Sequence, residues 1–288
     1  MTAPLIHILG GGRTARSIAR VLVECGAVRV GQVCNRSLDS AGAAVEFIGA
    51  GQPVDGFDAG LSAGWLMVGL PDGMIEETIA VLAEGLTARP RLAFHLSGSV
   101  PSAVLEPLGC KVASVHPLKA FSDPEQAAAS FAGTWCAVEG ERPALAALRP
   151  VFEQAEARWI EFQPQDKAAW HAATVAASNF LVIVNHLARE LAKQAGMEQA
   201  DAARLLSDLQ QGTLANLADQ PAVRALTGPF ERGDLSACRR LHAAVHDGLS
   251  PASAALFDHL AQATLDLARE KRGDRPDDDE LERLFSTD

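Results

Sequence analysis

The sequence predicts an α/β domain with a doubly wound, mainly parallel sheet over residues 1–163, followed by an all-helical domain over residues 164–288. In the first part, apolar runs of strand length alternate with segments of helical periodicity, which is typical of such a sheet. A glycine-rich turn directly follows the first apolar run. Near residue 163 alanine and leucine begin to dominate, and strand-like runs disappear.

The first strand and its turn predict a dinucleotide site. An apolar strand over 5–9 is followed by three glycines and a helix over 16–25. Gly10 allows a sharp turn, Gly12 lets the backbone approach a pyrophosphate, and Ala15 keeps the helix close to the sheet. The free N–H groups at the start of the helix favour phosphate. The strand–turn–helix context supports this interpretation, and a glycine turn that binds nothing is the alternative. The residues expected to hold the cofactor here are Gly10, Gly12, Arg13, Thr14 and Ala15.

The end of the second strand indicates which dinucleotide binds. This strand, over 28–34, ends at Asn35-Arg36-Ser37, roughly 20 residues past the third small residue of the turn, where a ribose-binding residue is expected. An NAD site would place Asp or Glu there, whereas an amide followed by a guanidinium suits a 2′-phosphate. We therefore expect NADP, with NAD as the less favoured cofactor, and contacts from Asn35, Arg36 and Ser37.

Three later strand ends carry candidate site residues, because ligands in a doubly wound sheet bind outside the carboxyl ends of the strands. Leu70 and Pro71 are expected to line the cofactor crevice together with Ser97. Ser97, Gly98, Ser99 and His116 are expected to contact substrate. Plain turns, with a helix cap at Ser99 or Ser102, are the alternative. The remaining expected elements are helices over 38–48, 74–84 and 142–155 and strands over 65–69, 92–96, 111–115, 135–138 and 158–162.

The first helix of the second domain, over 166–195, carries polar groups on an apolar background. Lys167, His171 and Ser178 share one stripe of this helix, and Asn179 is adjacent. Either Lys167 or His171 is expected to act as the catalytic acid, with His171 preferred, and packing without chemistry is the alternative. Asn179 is expected to hold substrate or the nicotinamide amide. Further helices are expected over 199–217, 234–245, 251–271 and 276–285.

The turn over 228–234 contains Arg232, whose guanidinium suits a substrate carboxylate or phosphate, while Asp234 is expected to cap the next helix. His242 is a further candidate for the same cleft, whereas His246 is expected to lack ligand spacing. No metal site is expected.

Composition excludes several classes of protein. The net charge of −11 argues against nucleic-acid partners. The five scattered cysteines lack C-x-x-C spacing, which indicates reduced thiols in a cytoplasmic protein. We expect no signal peptide and no apolar stretch of transmembrane length. The chain has no tyrosine, so the Tyr/Lys proton donor of short-chain dehydrogenases is excluded.

The helix over 166–195 is apolar over much of its circumference, which predicts burial on more than one side. The helical domain alone supplies only part of that cover, so we expect a homodimer. The apolar residues concerned are Val175, Phe180, Leu181, Val182, Ile183, Val184 and Leu187.

Motifs along nearly the whole chain resemble those of bacterial Rossmann-like proteins with a C-terminal domain of unknown function (DUF2520 type), which are distant relatives of the 6-phosphogluconate and 3-hydroxyacid dehydrogenases. Pyrroline-5-carboxylate reductase and ketopantoate reductase share the general plan. The motifs are the glycine turn, Val68-Gly69-Leu70-Pro71-Asp72, His95-Leu96-Ser97-Gly98-Ser99, Val115-His116-Pro117-Leu118, His171-Ala172-Ala173, Ser178-Asn179-Phe180 and Thr227–Asp234.

The resemblance implies a Rossmann domain, a helical domain of the 6-phosphogluconate dehydrogenase type, and an oxidoreductase. Its substrate would be a small polar carbonyl, hydroxyacid or imine compound, expected to be anionic. A non-catalytic NADP sensor or scaffold is the alternative. In the hydroxyacid dehydrogenases, a Lys followed four residues later by Asn supplies the acid and its partner. Here His171 takes the place of that Asn, which leaves the identity of the acid open between Lys167 and His171.

Overall fold

The computed structural model describes residues 3–57, 61 and 64–286. The strands of the described part form one sheet of eight. They are β1 (Leu5–Leu9), β2 (Arg29–Cys34), β3 (Gln52–Val54), β4 (Trp65–Val68), β5 (Leu92–His95), β6 (Lys111–Pro117), β7 (Trp135–Gly140) and β8 (Arg158–Glu161).

The sheet has the order β3-β2-β1-β4-β5-β6-β7-β8, with the chain winding outward in both directions from β1 and β4. Neighbouring strands from β3 to β6 are parallel, β7 is antiparallel to β6, and β8 is parallel to β7. The predicted doubly wound, mainly parallel sheet is confirmed.

Helices cover both faces of the sheet. Those of the first part are α1 (Arg13–Glu24), α2 (Leu38–Ile48), α3 (Asp72–Gly85), α4 (Pro124–Ala129) and α5 (Arg142–Gln154), with a 3-10 helix at Ser102–Leu108.

Successive side chains of the central strands point to opposite faces of the sheet and belong to two apolar cores. Met67 and Phe94 join one core with Phe152 of α5, and Leu66 joins the other with Ile75 of α3. Because both faces are buried, these strands are apolar throughout instead of alternating with polar residues.

Several boundaries differ from expectation. Helix α1 begins at Arg13 and not at residue 16, because Gly12 is already its N-cap. Strand β6 continues to Pro117, so His116 lies within the strand, opposite Ala137 of β7, and does not follow it. Short elements such as β3, α4 and the 3-10 helix were not expected.

Every described element after Glu161 is helical, as predicted. After a 3-10 turn at Pro164–Asp166 come α6 (Lys167–Gln194), α7 (Gln199–Asp219), α8 (Ala222–Ala225), α9 (Pro229–Arg232), α10 (Leu235–Gly248), α11 (Pro251–Arg272) and α12 (Asp278–Leu284).

The chain divides into two compact units, the first ending at Ser178 and the second beginning at Asn179. The boundary lies inside α6, so the opening turns of this helix belong with the sheet. The sequence instead predicted a boundary at 163/164, which would place all of α6 in the helical domain. Within the second unit, Cys238, Leu265 and Phe285 belong to a small apolar core. All five cysteines of the chain are free thiols.

Residues 164–194 are long and apolar enough to cross a membrane by length and composition alone, with a mean hydropathy of 1.2 over the most apolar 18 residues. The expectation that no stretch reaches that length is therefore wrong for this segment. None of its most apolar part is buried. This apolar surface requires either a partner or another apolar environment.

Candidate functional site

The glycine turn after β1 is closely packed. Gly10 has a φ of +86°, and a Cβ there would lie 2.9 Å from the carbonyl oxygen of Gly69. A Cβ at Gly69 would lie 2.3 Å from that of Ala15. This close packing agrees with the roles predicted for Gly10 and Ala15, because larger side chains there would force the turn and the start of α1 away from Gly69.

Gly12 and the start of α1 are suited to an anionic ligand. The protein atom nearest to a Cβ built on Gly12 is 3.5 Å away, so nothing in the described chain requires glycine there. No side chain caps α1, and its first turn has no acidic residue. These features leave the positive end of the helix available for a pyrophosphate.

Asn35 and Ser37 have roles within the protein. The Asn35 side chain accepts a hydrogen bond from the Gly11 N–H and donates one to the Ser40 carbonyl at 2.8 Å, which secures the glycine turn. The Ser37 hydroxyl caps α2 by accepting from the Ser40 N–H at 3.2 Å. Arg36 is exposed and forms neither a hydrogen bond nor an ion pair with the described residues. Of the three, Arg36 has the side chain available for a 2′-phosphate.

A cavity of about 370 Å³ lies between the start of α1 and the end of β6. It is lined by Arg13 and Thr14 of α1, by Leu96 after β5, and by His116. The Arg13 guanidinium donates to the Ser122 carbonyl at 3.4 Å. The chain thus brings predicted cofactor residues and a predicted substrate residue to one cavity.

Two more predicted cofactor residues lie at the end of β4. Leu70 packs against the apolar core beneath the turn, with its Cδ2 atom 2.8 Å from where a Gly10 Cβ would stand. Pro71 is the N-cap residue of α3.

The loop after β5 is organised by Ser97. Its hydroxyl accepts from the N–H groups of Ser99 and Val100 at 3.1 and 3.0 Å, and its own N–H donates to His95 Nδ1 at 3.2 Å. The Ser99 hydroxyl donates to an Asp72 carboxylate oxygen. Neither Ser99 nor Ser102 caps the following 3-10 helix, so the alternative of a plain capped turn does not describe this loop.

Lys167 is buried in a polar network beneath this loop, with 1% of its surface exposed. Its Nζ lies 3.1 Å from Oε1 of Glu139 on β7 and donates to the Ser114 hydroxyl on β6. Glu139, itself 1% exposed, also accepts from the Ser102 N–H at 2.8 Å and from the Ser102 hydroxyl at 2.7 Å. The Ser114 hydroxyl in turn donates to the Ser97 carbonyl at 3.2 Å.

One turn along α6, His171 lies beside His116, with 5.8 Å between the ring centroids. Gly98 makes room for both, because a Cβ there would lie 2.5 Å from His171 Nδ1 and 2.6 Å from His116 Cε1. The Nδ1 atoms of both imidazoles are buried and have no hydrogen-bond partner among the described residues. Buried polar atoms without partners are rare, and they indicate a place for a ligand or water.

Burial shifts the pKa of His116, His95 and Lys167. It lowers the pKa of His116 to about 4, helped by the neighbouring His171 and Lys167. It also lowers the pKa of His95 to about 3, with a further contribution from Lys167. Both imidazoles are therefore neutral at pH 7. The pKa of Lys167 is lowered from its ordinary value, again chiefly by burial, although the Glu139 carboxylate opposes this shift.

The remaining predicted site residues belong to the second unit. Asn179 is exposed on α6. Arg232 is exposed at the end of α9, where its carbonyl accepts from the Arg275 guanidinium. Asp234 caps α10 as predicted, accepting from the Ala237 N–H at 2.9 Å.

Sequence patterns did not identify Glu139, Ser114, Ser102 or His95 as site residues. A signal existed for two of them, since Glu139 and Ser114 are polar residues flanked by apolar residues within their strands. A polar side chain at a fully buried strand position needs a partner, but the partner cannot be identified from the strand itself.

Residues 134–264 match the model of a protein family described as a domain of unknown function, DUF2520. This match confirms the family resemblance expected from the motifs. No curated protein sequence matches the chain at a significant level.

Solved structures with the same fold include three reductase-type proteins. A Bacteroides fragilis protein provisionally named an NADP oxidoreductase has 23% identity and a TM-score of 0.78, over 92% of this chain and 99% of its own. A reductive aminase from Aspergillus terreus, solved with NADPH and ethyl-5-oxohexanoate, has 18% identity and a TM-score of 0.69, over 99% of this chain and 100% of its own. A pyrroline-5-carboxylate reductase from Coxiella burnetii has 17% identity and a TM-score of 0.59, with full coverage of both chains (100% each). These likenesses confirm the Rossmann-type fold with a helical second part.

The buried ion pair gives a stability prediction. We expect Glu139→Ala to lower the free energy of unfolding by about 3 to 5 kcal/mol, because it leaves the Lys167 ammonium buried without a counter-charge. Combining Lys167→Met with Glu139→Gln should recover much of the loss, since no charge is then buried. Urea unfolding of the single and double variants measures both effects.

The control is Lys111→Ala, which removes a pair with Glu141 whose side chains are 56% and 39% exposed. Such a surface pair contributes below about 1 kcal/mol. If Glu139→Ala lowers the free energy of unfolding no more than Lys111→Ala does, the interpretation of Lys167 and Glu139 as a buried, mutually dependent ion pair is contradicted.

Proposed function

We propose that this protein is an NADPH-dependent oxidoreductase that reduces a small polar C=O or C=N compound. The observation that carries the proposal is the pair of buried, unpartnered imidazole nitrogens of His116 and His171 beside Gly98. His116 lines the same cavity as the start of α1, where the glycine turn suits a dinucleotide.

Different residues of the first unit are proposed to hold different parts of the cofactor. Gly10 and Gly12 let the backbone approach the pyrophosphate, and the uncapped start of α1 stabilises its charge. The Arg36 guanidinium pairs with the 2′-phosphate, while Asn35 keeps the turn in shape. When bound, NADPH supplies the hydride.

His171 is the proposed proton donor. It is less deeply buried than Lys167, and its imidazole lies at the substrate loop over Gly98. As the substrate carbon is reduced, His171 gives a proton to the attached oxygen or nitrogen, which prevents a build-up of negative charge there. His116 stays neutral and orients the substrate through a hydrogen bond.

Lys167 has a different proposed role. With its Nζ bonded to Glu139 and Ser114 and 1% of the residue exposed, it is held away from substrate. We therefore treat Lys167 as a positioning residue, which fixes the start of α6 and so the place of His171.

The substrate is proposed to be a small anion. Arg232 and Asn179 are both exposed, and neither side chain forms a hydrogen bond within the described part of the chain, so both are available to a ligand. The names of the structural relatives make cyclic imines the first compounds to test, followed by small 2-keto acids. The free state of all five cysteines supports a cytoplasmic location.

Cofactor choice is expected to depend on Arg36. A charge-assisted bond to the 2′-phosphate should make NADPH bind more tightly than NADH by about 1.5 to 3 kcal/mol, and Arg36→Ala should remove most of that preference. Titration calorimetry with both cofactors measures it. Arg29→Ala, at the opposite end of β2, serves as the control and should keep the preference. Equal affinities of the native protein for the two cofactors would contradict the assignment.

Turnover is expected to depend on His171. Its replacement by alanine should lower kcat by about 10² to 10⁴ while leaving the Kd for NADPH nearly unchanged, because the cofactor is held by other residues. Loss of NADPH absorbance with a panel of cyclic imines and keto acids provides the assay. His186→Ala, an exposed position farther along α6, is the matched control.

Two results of this assay would contradict the proposal. If His171→Ala keeps full activity, the acid lies elsewhere. If NADPH binds but no compound in the panel is reduced, the alternative of a non-catalytic NADP sensor or scaffold is favoured.

A homodimer formed through the second unit is also proposed. Phe180, Val182 and Ile183 of α6 and Leu205 and Leu209 of α7 expose between 48% and 65% of their surfaces. An apolar surface of this kind is covered in most soluble proteins. Sedimentation velocity in detergent-free buffer should show a dimer at micromolar concentration, and a stable monomer would exclude this pairing.

A further inference from the structure

The second unit holds a cluster of potential metal ligands that the proposed reaction does not use. His242 and His246 lie one turn apart on α10, with their rings stacked at 4.1 Å between centroids. Asp258 of α11 faces them, with Oδ2 at 2.9 Å from His246 Nε2. The expectation that His246 lacks ligand spacing is therefore wrong, because two histidines four residues apart share one face of a helix.

The donor atoms are close enough for a shared cation. One atom each from His242, His246 and Asp258 lie within 4.8 Å of one another. Ligands at about 2.0 to 2.2 Å from a tetrahedral zinc ion are separated from each other by about 3.4 Å. The three donor atoms therefore lie within about 1.4 Å of the spacing that a tetrahedral zinc ion requires.

The Asp258 carboxylate is a second, independent observation that points to a ligand. Asp258 is 4% exposed, and its Oδ1 atom has no hydrogen-bond partner among the described residues. A buried carboxylate oxygen without a partner is costly, and buried charges are normally paired or bound to metal.

The surroundings suit a site with one open position. Phe285 packs against the His242 ring in a T-shaped arrangement with 5.4 Å between the ring centroids, which gives the cluster an apolar side. On the other side the His246 side chain is 41% exposed, so water can reach the cation and complete its coordination. Imidazole and carboxylate ligands together suit zinc and similar transition metals, whereas magnesium and calcium prefer oxygen ligands alone.

We propose that His242, His246 and Asp258 bind one divalent transition-metal ion of the zinc type, with water as the fourth ligand. The ion joins α10 to α11 and so stabilises the second unit. The proposed metal ligands include none of the residues assigned to the reductase reaction, so this proposal does not depend on that one.

Cobalt(II) and zinc ions are suitable probes for the full-length protein, purified without a histidine tag and stripped with a chelator. Cobalt should give the visible absorption of a four-coordinate site, and zinc should bind with a stoichiometry of one per chain by calorimetry. His242→Ala and His246→Ala should each weaken zinc binding by at least about 100-fold, since even residues that only orient metal ligands change affinity by about 10- to 100-fold. Zinc should raise the Tm of the native protein and not that of these variants.

His259→Ala is the matched control, because His259 lies on α11 one residue after Asp258 and bonds to the Ala255 carbonyl of its own helix at 2.7 Å. It should bind zinc as the native protein does. Circular dichroism checks that each variant is folded, and His246, being partly exposed, is the substitution expected to be tolerated best. The proposal is overturned if the native protein binds no zinc, or if both histidine variants bind zinc as tightly as the control does.

Discussion

The arrangement of the candidate site depends on one buried ion pair. Lys167 begins α6 and would lose its hydration in the core, so it requires the Glu139 carboxylate on β7 as a counter-charge. Hydroxyl and backbone groups of Ser114 and Ser102 satisfy the atoms that this pair leaves free. The pair therefore attaches the start of α6 to the sheet, and His171, one turn later, lies beside His116 and Gly98 as a result.

Glycine makes this arrangement possible at two places. Any side chain at Gly98 would overlap the two imidazoles, and any side chain at Gly69 would push α1 away from the sheet. Polar groups and glycines thus together allow the loop after β5, the glycine turn and the start of α6 to lie close together. The lowered pKa of His116 follows from the same close packing, because there is little water to stabilise a charged ring.

The lysine in this chain differs from the acid implied by the family resemblance. There, a Lys and an Asn one turn later act together, whereas here Lys167 is bonded to Glu139 and His171 occupies the position of the Asn. Although burial lowers its pKa, the Lys167 ammonium already donates to Glu139 and Ser114, so its N–H groups are engaged within the protein and not directed at a ligand. An imidazole at the next turn is free of that constraint.

The sequence by itself determined the fold class, the order of the main elements, the glycine turn and the helical second part, because these depend on local periodicity and on short motifs. It also predicted Lys167, His171, Gly98 and His116 as candidate site residues, and the structure places Gly98, His116 and His171 side by side. Only the tertiary structure decided that Glu139 pairs with Lys167, 28 residues away, that Asn35 supports the turn, and that Asp258 faces His246. Those outcomes depend on which strands and helices become neighbours and on burial, and neither is encoded in the spacing of residues along one element.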